Sequence, residues 1–264
     1  MLITFLPLYF VGGEFFRTFA ENNAFDMKYR VIILLVSIFC MSFSLQGKKR
    51  EKRSVVRIET SEGIIRVALS DDTPVHRDNF LKLSSEGFYD GTLFHRCIQD
   101  FMIQGGDPDS RGAAPGAVLG EGDTGYTLLP EIQLPYLYHV RGALAAARDP
   151  DDVNPEKRSS GCQFYIVWGK KFSDTSIREK RELLRSRGYE MSGKMVDDYI
   201  MKGGTPHLDG EYTVFGEVIE GLKVVRAIQL APTDANDRPR EDIVIQHMEV
   251  EQLSEAAQKS RQAK

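Results

Sequence analysis

With 264 residues, 42% of them hydrophobic and 27% charged, the chain has the make-up of a globular protein, which excludes the disordered and collagen-like classes. Its formal net charge of −4 argues against a protein built to neutralise nucleic-acid phosphates, because that task needs a basic face.

The N-terminal part reads as targeting sequence. Val31 to Leu45 carries no charge, follows Met27, Lys28 and Arg30, and has small residues at Ser42 and Ser44. A positive region, an apolar region and small residues make a secretory signal, shorter than the roughly 20 apolar residues of a membrane span. Glu14, Glu21 and Asp26 are out of place ahead of such a leader, so the true start is expected at Met27, with cleavage after Ser44. Cys40 is an alternative, lipid-bearing processing site that the bulky Phe39 before it disfavours. The run Lys48, Lys49, Arg50, Lys52 and Arg53 reads as a solvated tether rather than a patch for anionic lipid or nucleic acid. Residues 1–54 are therefore assigned to targeting and tether, residues 55–252 to one folded domain, and residues 253–264 to a polar tail. The expected location is exported: periplasmic, or membrane-associated through an uncleaved signal.

From Val55 the pattern changes to short β-rich segments. Val55 to Thr60 and Ile64 to Leu69 flank Ser61-Glu62-Gly63, a hairpin signal. Thr73 followed by Pro74 predicts an N-cap and a first-turn proline, with Val75, Phe80, Leu81 and Leu83 as the apolar stripe of a helix ending at Gly87. Further strands are predicted at Leu93 to Ile98, Phe101 to Gln104, Ala143 to Ala147, Gln163 to Trp168, Thr213 to Val218 and Ile243 to Val250, with a second helix over Leu222 to Leu230. Many short strands and two helices point to a barrel or sandwich with helical plugs. Residues 105–142 read as a long surface loop, a length that is uncommon unless it serves a site. Residues 173–206 carry Ile177, Leu183, Leu184, Met195, Val196, Tyr199 and Ile200 at helical spacings, which predicts two short helices separated near Gly188.

The chemistry-bearing strings are Phe94-His95-Arg96, Phe101-Met102-Ile103-Gln104-Gly105-Gly106-Asp107, Gly161-Cys162-Gln163-Phe164-Tyr165-Ile166 and Leu208-Asp209-Gly210-Glu211-Tyr212-Thr213-Val214-Phe215-Gly216. Strand alternation places Phe94 with Arg96 on one face, and Met102 with Gln104. An arginine in an apolar segment is by itself more often a structural ion pair, and a Phe-Met pair is more often core. In this order, however, the strings resemble the cyclophilin family of peptidyl-prolyl isomerases over most of residues 55–250.

That resemblance implies a mainly β fold, an eight-stranded antiparallel barrel closed by two helices, here with an inserted helical segment at 173–206. It implies an isomerase that accelerates X-Pro isomerisation in exported proteins without cofactor or metal. Arg96 matches the family's catalytic arginine, and Gln104 and Gln163 match polar groups that hold the substrate backbone and the arginine. Phe101, Met102, Tyr165 and Leu208 match the pocket for the proline ring, with tyrosine where phenylalanine is commoner. Ala145 and Ala146 match positions that offer backbone contacts to the residue before proline, Ala146 standing in place of an asparagine. Tyr212, also assigned to substrate binding, replaces a histidine of many eukaryotic members. His207 stands where cyclosporin-sensitive members carry tryptophan, so weak or no cyclosporin binding is expected. The insertion has no counterpart in the minimal family pattern and enters just before Leu208; it either shapes substrate access or is a tolerated surface addition.

The expected partners are proline-containing unfolded or partly folded proteins and peptides, not nucleic acid, and the chain is expected to act as a monomer. A binding module that holds proline-containing segments with little catalysis is the second reading; nucleic-acid association through residues 48–53 is a weak third. Cys97 and Cys162 remain after the leader, and pairing stays open, two buried free thiols being preferred. His76, His95, His139, His207 and His247 show no metal-binding spacing and read as packed or solvated. Gly120-Glu121-Gly122-Asp123-Thr124-Gly125 lacks the lysine of a phosphate loop and reads as a turn. Ser159, Ser160 and Asp174 form no hydrolase set.

Overall fold

The computed structural model of the protein describes residues 54–252. The leader and tether expected over residues 1–54, Ser54 apart, and the tail expected at 253–264 lie outside the described residues. The hairpin forms as its composition predicts: β1 (Ser54–Thr60) and β2 (Gly63–Leu69) pair from Val55 opposite Ala68 to Thr60 opposite Gly63. Alternate residues Val56, Ile58, Ile65, Val67 and Leu69 turn into the core.

Next comes α1 (Pro74–Ser85), whose N-terminus is not capped as expected. Thr73 is fully buried and its hydroxyl faces the Ser70 carbonyl at 3.5 Å. The orphan amides of Val75 and His76 instead donate to the two oxygens of Glu131, at 3.1 and 3.0 Å. A carboxylate suits that place because the helix N-terminus carries partial positive charge. Val75, predicted in the apolar stripe, is 49% exposed, and His76 takes the inward position. Its Nδ1 donates to Glu131 at 2.7 Å and its Nε2 accepts from the Ser159 hydroxyl at 2.9 Å.

The remaining strands are β3 (Arg96–Ile98), β4 (Met102–Gly105), β6 (Ala143–Ala146), β8 (Phe164–Val167), β9 (Val214–Glu220) and β10 (Ile245–Gln252), with a separate two-residue pair of β5 (Thr127–Leu128) and β7 (Ser159–Ser160). Eight strands form one antiparallel sheet in the order β10-β1-β2-β9-β6-β8-β4-β3. Its outer edges meet where Leu93 bridges Val244, Phe94 N donates to Ile243 O at 2.9 Å and Ile245 N donates to Thr92 O at 2.8 Å. This edge explains one departure from expectation. Residues 92–94 pair toward β10 while Arg96–Ile98 pair with β4, so the chain changes partner and the two-residue alternation breaks between them. Phe94 is consequently fully buried in the core and does not share a face with Arg96, whose side chain is 41% exposed.

Inside the sheet, Phe164 is met edge-on by Phe80 at 5.3 Å and by Tyr89 at 5.5 Å, and Phe215 packs on Phe80 at 5.4 Å. Phe80 and Leu83 enter this core from α1, and Val224, Val225 and Ile228 from α4 (Leu222–Gln229). Cys97 and Cys162 are free and buried, and burial pushes their thiols up to about 12 and about 11.

The predicted insertion is helical. It holds α2 (Asp174–Ser186), started by a reciprocal Ser173–Ser176 cap, and α3 (Gly193–Met201), capped by Ser192. Gly188 makes the turn after α2 with φ +85°. Ile177, Leu184, Met191, Met195 and Tyr199 form a cluster of their own with Tyr138 from the long loop. The chain leaves α3 through Gly204, where a Cβ would sit 2.3 Å from the His139 carbonyl oxygen; only glycine lets these backbones approach.

Replacing Glu131 by alanine removes both the cap of α1 and the partner of buried His76. We expect a loss of about 2 kcal/mol in urea unfolding, at the upper end for a helix cap; an unchanged midpoint would contradict the assignment of the cap to Glu131.

Candidate functional site

Because the inner face of the sheet is filled, functional groups fall on its outer face. On β4, Ile103 points inward and Met102 and Gln104 outward; on β8, Phe164 and Ile166 point inward and Tyr165 outward. Register then lines up a row across three strands, Arg96 opposite Gln104 and Gln104 opposite Tyr165. Over this row lies a cleft of about 290 Å³ lined by His95, Arg96, Phe101, Met102, Gln104, Leu119, Gly120, Glu121, Ala147, Arg148, Tyr165, Leu208 and Tyr212.

Eight residues predicted from the sequence are placed in or beside this cleft. Phe101, Met102, Tyr165, Leu208 and Tyr212 belong to one apolar cluster that also contains Ala145 and Val214. Tyr165 and Tyr212 meet edge to face at 6.0 Å, and the Arg148 guanidinium lies 4.5 Å from the centre of the Tyr212 ring. The turn Pro206–Leu208 delivers Leu208, and exposed His207 stacks on Phe101 at 5.6 Å. Arg96 forms one ion pair among the described residues, Nε to Asp237 Oδ2 at 3.5 Å with both side chains about two-fifths exposed. Such a pair is weak in water, so little holds the guanidinium back from a ligand.

Gln163 makes its hydrogen bonds within the protein. Its Nε2 donates to the carbonyls of Gly120 and Gly122 at 2.7 and 2.9 Å, and its Oε1 accepts from Gln104 Nε2 at 3.0 Å. Both ends of the amide are used, so Gln163 pins the 120–122 loop and orients Gln104. Among the described residues neither glutamine bonds to Arg96. Gln163 borders instead an adjoining depression of about 230 Å³, which shares Gln104, Gly120, Glu121, Ala147 and Arg148 with the cleft.

Ala145 and Ala146 lie below the cleft and do not line it. Ala145 is fully buried in the apolar cluster and Ala146 belongs to the barrel core. The Ala146 amide is taken up by Thr213 O at 2.9 Å. Ala147, one residue on, lines the cleft.

Several residues of the site escaped sequence reasoning. The Tyr165 hydroxyl donates to His139 Nε2 at 2.9 Å, and His139 Nδ1 donates to fully buried Asp209 at 2.9 Å. The signal for this was Tyr165 itself, since a tyrosine at a phenylalanine position needs a partner for its hydroxyl when buried. His95 is 3% exposed, and neither ring nitrogen has a hydrogen-bond partner among the described residues. Burial lowers its pKa against the opposing pull of Asp107. Asp237, which faces Arg96, carries φ +61° and accepts the Cys97 amide through its carbonyl at 2.8 Å, a turn that no short-range pattern revealed.

Comparison with known proteins agrees with this fold. The family model described as cyclophilin type peptidyl-prolyl cis-trans isomerase/CLD matches residues 55–250. A Streptococcus pyogenes protein provisionally named bifunctional phosphatase/peptidyl-prolyl cis-trans isomerase is 37% identical over 198 residues, 74% of this chain and 38% of that protein. A Staphylococcus epidermidis protein provisionally named peptidyl-prolyl cis-trans isomerase is 35% identical over 198 residues, 75% of this chain and 91% of its own length. A crystal structure of a Cryptosporidium parvum cyclophilin-type peptidyl-prolyl cis-trans isomerase covers 76% of this chain and 99% of its own at 27% identity and TM-score 0.54. A second structure of that protein, obtained in the presence of the dipeptide Ala-Pro, covers 75% and 99% at TM-score 0.51 and 27% identity.

Burial also lowers the pKa of His76, as it does that of His95, below the ordinary imidazole value of 6.5. Above that value these rings are neutral folded or unfolded, and their contribution is complete. As pH falls below it the unfolded chain takes up protons that the folded one resists, so stability is lost. Urea midpoints should therefore decline from neutral pH to about pH 5, less steeply in His95→Gln; a flat profile in the parent would contradict the burial effect.

Proposed function

The chain belongs to the cyclophilin-type peptidyl-prolyl cis-trans isomerases, and from that premise we propose that Arg96 is its catalytic group, acting on X-Pro bonds of unfolded or partly folded exported proteins. The observation that carries the proposal is the meeting of a weakly held guanidinium with the apolar wall of Phe101, Met102, Tyr165 and Leu208 in one cleft.

The X-Pro bond resists rotation because amide resonance raises a barrier of about 18–20 kcal/mol, and spontaneous exchange is correspondingly slow. Rotation breaks no covalent bond. What it needs is one side of the bond held fast, the other free to turn, and stabilisation of the twisted state, in which the lone pair returns to the prolyl nitrogen. The apolar wall suits a proline ring, which offers no N–H and loses little by leaving water. A guanidinium beside it donates to the prolyl nitrogen better in the twisted state than in either planar one, which is the condition for lowering the barrier. Arginine keeps its proton throughout and presents its donors in a fixed plane, which a lysine ammonium does not. On this proposal Gln104, oriented by Gln163, holds the backbone of the bound segment where the cleft meets the adjoining depression.

Three further parts of the proposal rest on the sequence. The apolar run Val31 to Leu45 behind Lys28 and Arg30 supports export, to the periplasm or to a membrane through an uncleaved signal. The enzyme is proposed to act as a monomer. His207, at a position that is tryptophan in cyclosporin-sensitive members, supports weak cyclosporin binding.

Arg96→Ala should lower kcat/KM on a short Ala-Pro peptide by about 10²-fold, the scale of removing one transition-state donor, and Arg96→Lys should not restore it. Activity retained by a folded Arg96→Ala protein would overturn the assignment. No turnover in the folded parent would leave a proline-binding module. Cyclosporin should fail to inhibit at submicromolar concentration; potent inhibition would refute the reading of His207.

A further inference from the structure

The helices α2 and α3 form their own apolar cluster, yet several of their polar contacts converge on the short segment that carries Leu208. Just past α2, Arg187 Nη1 donates to the carbonyls of His207 and Asp209 at 2.8 and 3.0 Å, and its Nε lies 2.9 Å from Glu211 Oε1. The ring of Tyr189 covers Gly210, where a Cβ would come within 2.8 Å of it. From α3, the Tyr199 hydroxyl donates to Asp209 Oδ2 at 2.6 Å.

Asp209 is fully buried, so its charge is tolerable only while its oxygens accept hydrogen bonds. Its Oδ1 accepts both the backbone amide and Nδ1–H of His139 at 2.9 Å. That fixes the imidazole with Nε2 free to accept, and the Tyr165 hydroxyl donates there at 2.9 Å. Each proton in the chain Tyr199–Asp209–His139–Tyr165 thus has one place to go, and the chain runs from the insertion to the floor of the cleft. Tyr199 is the sole side chain among the described residues that bonds Oδ2 of Asp209. Packing alone would be met equally well by phenylalanine at position 199, since Tyr138, Phe172 and Met195 already surround the ring.

We infer that the inserted helix pair positions the prolyl pocket: Tyr199, Asp209 and His139 act as positioning residues that hold Tyr165, while Arg187 and Asp209 hold the turn bearing Leu208. The width of the apolar wall, and with it the fit of an X-Pro segment, is set from α3. This rests on the reading of the cleft as the prolyl pocket.

The test is a double-mutant cycle in the full chain, with kcat and KM measured on a short Ala-Pro peptide. Tyr199→Phe and Tyr165→Phe should each raise KM about tenfold, with kcat changed far less, on the scale of one lost buried hydrogen bond. The double variant should be no worse than the weaker single one, because both break the same chain. Tyr138→Phe is the control: it removes a hydroxyl bonded to Asp198 and Lys194 in the same cluster, and should leave both constants unchanged. A Tyr199→Phe protein that behaves like Tyr138→Phe, or single effects that multiply, would overturn the inference. If Tyr199→Phe does not fold, Arg187→Gln decides, a raised KM supporting the inference and an unchanged one sinking it. If the parent shows no turnover, the proposed function fails, and the same comparison made on the peptide dissociation constant still decides the role of the insertion.

Discussion

The structure depends on a filled interior. An antiparallel sheet whose edges meet at Leu93 and Val244, with Phe80, Tyr89, Phe94, Phe164 and Phe215 packed inside, has no room for a ligand. Strand periodicity then does the rest, since each residue beside a core residue on β4 and β8 must face out. Met102, Gln104 and Tyr165 are outward for the same reason that Ile103, Phe164 and Ile166 are inward. The register of β3 against β4 brings Arg96 into line with them.

Placement alone would not make a site rigid, and the supports are polar. Gln163 spends its amide on the 120–122 loop and on Gln104, so one buried side chain fixes the rim and orients a neighbour. Asp209 does the same on the opposite wall, where three donors converge on one buried carboxylate. Arg96 is the exception, with a single long ion pair, to Asp237, among the described residues. Preorganised surroundings and one weakly held donor form the arrangement expected where the donor must serve a transient state.

Much of this was legible from local rules. The β-rich composition of Val55 to Thr60 and Ile64 to Leu69, proline at the first turn of α1, and helical spacing in residues 173–206 each depend on neighbours within a few residues, and each element forms. The misreadings share a physical cause, which is that a distant segment supplied the deciding contact. Thr73 has the right chemistry for a cap, but Glu131, brought in by the long loop, takes the amides first. Phe94 and Arg96 are two apart, yet a change of strand partner between them puts them on different faces. For the site, Arg96 and the apolar wall were readable as an ordered set of strings, whereas His139 and Asp209 acquire meaning only when Tyr165 and Tyr199 are seen to meet them.

Arg96 is proposed to act on the twisted bond rather than on the bound ground state. The most direct measurement is NMR exchange between the cis and trans forms of an Ala-Pro peptide at equilibrium with the protein, parent against Arg96→Ala, with peptide affinity read from the same titration. On that proposal Arg96→Ala should still bind the peptide with affinity within a few-fold of the parent and no longer speed the exchange. Exchange that persists in the bound variant, or that disappears only because the peptide no longer binds, would contradict it.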